Sequence, residues 1–180
     1  MVKPTGTTVT VLRLTHTGHV VGALTRAAPA PPPVVRQLTG AAFPLAVPGT
    51  SGLVLAMAGL LTAEELPAPP GFLTAPWQWY VDPAEAEPQL RPVSGVPPRV
   101  SPDSGSLRVG STDDGGAPVL ALVHPSAHWG AGTSPRFHVP AALDANGTAL
   151  LGNGAVGAED EFMVFVRGRP VSVTYHVEIG

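Results

Sequence analysis

Along the C-terminal stretch, Val171, Val173, Tyr175, Val177 and Ile179 alternate with Ser172, Thr174, His176 and Glu178. A side-chain period of two places one apolar face on a core and one polar face towards water, which predicts a half-buried strand. Just upstream, Phe162-Met163-Val164-Phe165-Val166 is apolar at every position, as expected of a strand enclosed between two layers. Arg167-Gly168-Arg169-Pro170 joins the two, and Gly168 can supply the positive φ of a tight turn. This hairpin is the strongest expectation in the chain.

The same pattern predicts two more hairpins: Thr8–His16 with His19–Thr25 around Thr17-Gly18, and Leu107–Ser111 with Val119–Val123 across Asp113-Asp114-Gly115-Gly116. Short helices are expected at Val34–Leu38, closed by Gly40, and at Ala141–Asn146, opened by Pro140 and closed by Gly147. Residues Ser51–Leu66 read both ways. Thr62-Ala63-Glu64-Glu65 has the spacing of a helix capping box, whereas Leu53-Val54-Leu55 suits a buried strand. Val11-Leu12-Arg13-Leu14-Thr15-His16 and Val119-Leu120-Ala121-Leu122-Val123-His124 share V-L-x-L-x-H, an echo that chance resemblance between apolar strands explains sufficiently. The fold class expected is mainly β: an antiparallel β-sandwich, or two small β modules joined by a Pro-rich connector, with a few short helices.

Proline punctuates this pattern unevenly, with 16 of the 22 prolines lying between Pro29 and Pro102. Ala27-Ala28-Pro29-Ala30-Pro31-Pro32-Pro33 is expected to be extended polyproline II. It contains a P-x-x-P pattern of the kind that aromatic grooves read, although a connecting loop is the plainer interpretation. The second dense stretch, Pro88 to Pro102, marks the expected boundary between an N-terminal β-rich module (1–98) and a C-terminal antiparallel β module (99–180), with a single domain as the alternative.

Composition changes the picture in one respect. Charged residues are only 13% of the chain, about half the ~25% usual in soluble domains, and mean hydropathy is +0.22. Gly 21 and Pro 22 bring the chain close to disorder-prone composition, but 44% hydrophobic content argues for a folded, turn-rich protein. A surface so poor in charge is weakly protected against association, which points to coverage by other protein subunits, homo- or hetero-oligomeric. The charges that exist come in blocks: residues 1–63 hold four bases and no acid, and residues 64–90 hold five acids and no base. They read as solvated surface groups. The net charge of -3 leaves no basic field for nucleic acid. No apolar run reaches the ~20 residues of a membrane span, and Met1-Val2-Lys3-Pro4 leads into no signal-peptide core, so a cytoplasmic location is expected.

Candidate chemistry is sparse. The absence of cysteine excludes disulfides, thiolate metal sites and thiol nucleophiles. His124, His128 and His138 fall within fifteen residues and could supply three nitrogen ligands to a metal, with His16 and His19 as a second close pair. Pro125 and Trp129-Gly130 disfavour the helix that would bring His124 and His128 to one face, and H-E-x-x-H is missing. Gly152-Asn153-Gly154-Ala155-Val156-Gly157 matches G-x-G-x-x-G literally, but Glu159-Asp160-Glu161 follows where a diphosphate would be repelled. It reads as a loop. Trp77-Gln78-Trp79-Tyr80 is the aromatic concentration: on a strand, Trp77 and Trp79 would share a face, and Trp77, Trp79 and Tyr80 are the candidate interface or ligand-stacking residues. The expectation is a non-enzymatic structural or adaptor subunit without cofactor. The alternatives are a His-based metal-dependent hydrolase or metal-binding module, and a small carbohydrate- or peptide-binding module.

Overall fold

A computed structural model describes residues 8–25, 33–46, 53–125, 137–152 and 160–174. The N-terminal half contributes β1 (Thr8–Leu14), β2 (Val20–Thr25), α1 (Val35–Thr39), β3 (Ala42–Ala46), β4 (Leu53–Met57), β5 (Leu61–Pro67), β6 (Trp79–Val81) and β7 (Leu90–Pro92). The C-terminal half contributes β8 (Arg99–Asp103), β9 (Ser106–Gly110), β10 (Pro118–Pro125), β11 (Phe137–Ala142), β12 (Thr148–Leu151), β13 (Asp160–Val166) and β14 (Ser172–Thr174). All described strand pairs are antiparallel, and they form the sheets β2-β1-β5, β11-β10-β13-β14 and β12-β9-β8 with the two-stranded ribbons β3-β4 and β6-β7. The protein is mainly β, as its apolar alternation requires.

The sheet containing β10 and β13 is the middle layer. Val119, Ala121 and Val123 of β10 and Phe162, Val164 and Val166 of β13 turn one way, onto Leu107, Val109, Ala149 and Leu151 of the β12-β9-β8 sheet. Their alternate residues, Leu120, Leu122, Met163 and Phe165, turn the other way, onto Leu12, Leu14, Leu45, Val54 and Leu61. The unbroken apolar run at 162–166 is thus explained by burial on both faces. A third cluster, Val9, Val11, Val20, Leu66, Phe72 and Val81, covers the far side of the β2-β1-β5 sheet. Strands on either side of the Pro-rich connector therefore share the second of these cores. Both strands of the sequence echo, β1 and β10, are central in their sheets, each flanked by the next strand in the chain and by a later one.

The hairpins β1-β2 and β13-β14 form as the pattern predicts, and Val171 and Val173 face the second core. Residues 175–180, the rest of the predicted C-terminal strand, lie outside the described residues, as does the whole of 26–32. The predicted hairpin of Leu107–Ser111 with Val119–Val123 does not form. β9 pairs instead with β8 and β12, while β10 joins the neighbouring sheet, so the 111–117 turn crosses between layers. The physical reason is the difference in pattern: β9 has one apolar face and suits an outer layer, whereas β10 is apolar on both and belongs in the middle. The β8-β9 hairpin has its own local signal, Ser104-Gly105, both at positive φ (48° and 81°), the requirement of a two-residue hairpin turn.

The helix expected near Val34–Leu38 is present as α1, ended at Gly40. The one expected at Ala141–Asn146 is absent. Val139 and Ala141 are strand residues paired with Ala121 and Val119, and Pro140 is tolerated because β11 is an edge strand. The chain then turns at Asp144, whose carboxylate accepts hydrogen bonds from the backbone N–H of Asn146 and Thr148, both at 2.8 Å. Within 51–66, strand wins: β4 and β5 flank a 3-10 turn at Ala58–Leu60, because both partners, β3 and β1, bury Val54, Ala56 and Leu61.

Candidate functional site

The turn Arg167-Gly168-Arg169-Pro170 does more than close a hairpin. Arg167 Nη1 reaches Asp82 Oδ1 at 3.4 Å, tying the turn to the segment after β6. The carbonyl of Gly168 accepts the Ser94 N–H at 2.9 Å, and the Tyr80 ring lies so close that a Cβ on Gly168 would stand 3.3 Å from Tyr80 Cζ. Arg169 makes a two-armed pair with Asp114, Nε to Oδ2 at 2.7 Å and Nη2 to Oδ1 at 2.9 Å. Burial pushes the Asp114 carboxyl up, but hydrogen bonds from Arg169 and Ser111 and the charges of Arg169 and Arg167 outweigh it and hold Asp114 below its ordinary value. Arg13 pairs with Glu64 across β1 and β5 through a single contact, Nε to Oε1. Of the charge blocks expected as solvated surface, Arg13, Glu64, Asp82 and Asp114 are partly buried in links between elements, while Arg36 and Glu87 are exposed as expected.

The backbone of the same turn anchors His19. Its side chain is 1% exposed, Nε2 lies 2.7 Å from the Arg169 carbonyl and Nδ1 lies 3.0 Å from Thr17 Oγ1. A carbonyl only accepts, so Nε2 carries the proton, and the Nδ1 lone pair accepts from the Thr17 hydroxyl. The ring meets Phe165 edge-on, centroids 5.2 Å apart. Burial pushes the His19 pKa down to about 4, against the opposing pull of the Arg169 carbonyl, so the ring is neutral at pH 7.

Above His19 opens a cavity of about 680 Å³. Its described walls come from six separate stretches of chain: Val20 and Val21 of β2, Phe43 and Leu45 of β3, Trp77 and Gln78, Val93, Met163 and Phe165 of β13, and Pro170-Val171. The volume falls within the range of small-ligand and side-chain pockets. His19 is the titratable side chain among the lining residues, and both its nitrogens are already engaged. The cavity can therefore bind apolar matter, and its described residues offer no free acid or base. Among the described residues no charged side chain lines it.

Trp77, Trp79 and Tyr80 do not form one platform. A 3-10 turn spans Pro76–Gln78 and the strand starts only at Trp79, so Trp77 stands at the cavity, 63% exposed, while Trp79 packs edge-on against Phe72 with centroids 5.9 Å apart. Tyr80 packs on Gly168. Among the metal candidates, His124 and His138 belong to the backbones of β10 and β11; their side chains, and the whole of His128, lie outside the described residues. Among the described residues no three His, Asp or Glu side chains gather as a metal site. His16 is engaged elsewhere, its Nε2 donating to the Ala141 carbonyl at 2.8 Å. The G-x-G-x-x-G stretch runs from Gly152 into residues outside the described set. Sequence reasoning missed Phe43, Gln78, Met163, Phe165 and Val171 as cavity residues. No local signal marks them, since the site exists only once six segments meet.

The fold and the cavity define a layered β protein whose described residues form a largely apolar groove. Compared with protein-family models, with curated proteins and with solved structures, the chain gives no significant match.

Proposed function

We propose that this protein is a non-enzymatic structural or adaptor subunit that acts through protein–protein contacts in a larger assembly, of particle- or phage-tail-like kind. The observation that carries this reading is the groove: an uncharged, largely apolar hollow whose buried histidine has both nitrogens occupied, with Trp77 exposed at its edge. Scattered exposed apolar residues such as Val34, Val96 and Leu150 are ordinary on any protein and add little. A concave apolar site edged by an exposed indole is different, because buried aromatic anchors dominate interface energies. The low charge content supports the same reading. Light scattering on the purified protein, with pull-down from its native host, tests it. Oligomers or a stoichiometric protein partner are expected; a monomer at high concentration that captures nothing would overturn it.

A further inference from the structure

His19 sits where three parts of the chain meet. It ends the turn between β1 and β2, its backbone bridges to Tyr80 of β6, and its ring donates to the Arg169 carbonyl of the β13-β14 turn. This seat suits the neutral ring. Nδ1 accepts from Thr17, whose side chain is itself fully buried, and a second ring proton would meet that hydroxyl proton head-on. An imidazolium there would also lack a counter-charge. The charged groups on the described elements packed around it are Arg13 on β1, Asp82 after β6, Arg167 and Arg169 on the turn, and Asp114 beyond Arg169. Arg13 is held by Glu64, Arg167 by Asp82 and Arg169 by Asp114, so each of these acids already has a cation. Of the other titratable neighbours, Tyr80 packs its ring on Gly168, and His16 is engaged with the Ala141 carbonyl.

We propose that His19 is a proton-operated gate of the hollow above it: on protonation its ring turns out of the seat between the two turns and into the hollow, leaving the Arg169 carbonyl and the Thr17 hydroxyl behind. His19 is itself part of the lining, and about 680 Å³ is ample room for an imidazole. The exposed Trp77 and Gln78 line the same hollow, so it leads the ring towards water. Seated, the ring resists a proton down to about pH 4; in contact with water it titrates near 6.5. Each pH unit below 6.5 therefore favours the outward ring about tenfold over the seated one, and the balance tips as the pH approaches 4. Turned outward, the imidazolium both occupies the hollow and charges it. A site open to apolar matter at neutral pH is thus closed to it in acid. The gate needs only the seat and the hollow, whatever the hollow binds.

The test is an NMR titration of the full-length protein from neutral pH down to about pH 4, with far-UV circular dichroism and the Val164 amide signal as checks that the fold persists. His19→Gln identifies the ring signals by their loss; should that variant fail to fold, the edge-on contact with Phe165 identifies them in the wild type. At neutral pH the buried Nε2–H is expected as a slowly exchanging downfield proton. In acid, with the fold intact, it is expected to vanish into exchange with water as the carbon-bound ring protons shift to imidazolium positions. New contacts from the ring to Phe43 or Trp77 should appear over the same pH range. An Nε2–H that persists and is joined by an Nδ1–H would mean a ring charged in its seat and would overturn the gate. So would a ring that leaves its seat without reaching Phe43 or Trp77, or one that stays neutral until the circular dichroism signal is lost.

Discussion

Arg169 and Asp114 are 55 residues apart in sequence and face each other with two parallel N–H to oxygen contacts, at 2.7 and 2.9 Å. The guanidinium crosses over Gly95 on the way: a Cβ there would stand 2.0 Å from Arg169 Nη1. One ion pair thus fastens the β13-β14 turn, the Pro-rich connector and the crossover turn before β10. Replacing Asp114 by Ala leaves a partly buried guanidinium without its acceptor, and a loss of about 2 kcal/mol is expected. Urea unfolding of Asp114→Ala and Arg169→Ala checks it, and the double variant should cost much less than the two single losses combined.

His19 gives stability a defined dependence on pH. Its folded pKa, about 4, lies below the ordinary 6.5, so between those values the unfolded chain binds a proton that the folded chain refuses. Stability from this group is therefore complete above pH 6.5, falls as pH drops, and is lost by about pH 4, a change of about 3 kcal/mol. Asp114, held below its ordinary value, adds a second loss at lower pH, as its carboxylate is protonated in the folded state. Urea midpoints between pH 7 and pH 4 should show the slope, and His19→Leu should flatten its upper part.

Two glycines at nearly the same φ separate backbone strain from steric exclusion. At Gly71 (φ +82°) an added Cβ would meet nothing within 4 Å, whereas at Gly18 (φ +78°) it would lie 1.8 Å from the Val81 carbonyl oxygen. That carbonyl cannot easily retreat, because the Val81 N–H donates to Gly18 O at 2.9 Å. Gly71→Ala is expected to cost about 1 kcal/mol, the strain alone, and Gly18→Ala roughly 3 kcal/mol or more. Thermal melts of the pair check the contrast.

Thr10 in β1 is 2% exposed, and its hydroxyl has no hydrogen-bond partner among the described residues. Valine has the same shape without the stranded polar group and keeps the branched side chain that strands favour. Thr10→Val is expected to stabilise the protein by about 1 kcal/mol. An unchanged or lowered urea midpoint would contradict this.

Local pattern determined a definite part of this protein. Alternation at 171–174 and the all-apolar run at 162–166 prescribed a half-exposed and an enclosed strand, and Gly168 prescribed the turn between them, because side-chain period and permitted φ are properties of neighbouring residues. Pattern failed where the decision lay elsewhere in the chain. Leu107–Ser111 and Val119–Val123 look like hairpin partners, yet they became facing layers, because β10 is apolar on both faces and needed a layer on each, and β9 with its single apolar face supplies one of those layers. Pro140 and Ala141 looked like a helix start, and the β10 edge drew them into a strand. Trp77 and Trp79 were conspicuous in the sequence, but a single 3-10 turn sent one to the groove and the other into a core. His19 showed the sharpest divide. The sequence determined that an imidazole stands two residues after Thr17; only tertiary structure brought the Arg169 carbonyl, 150 residues away, to fix its proton and seal it beneath an apolar hollow. Burial and long-range hydrogen bonds depend on which distant surfaces meet, and no window of adjacent residues contains that information.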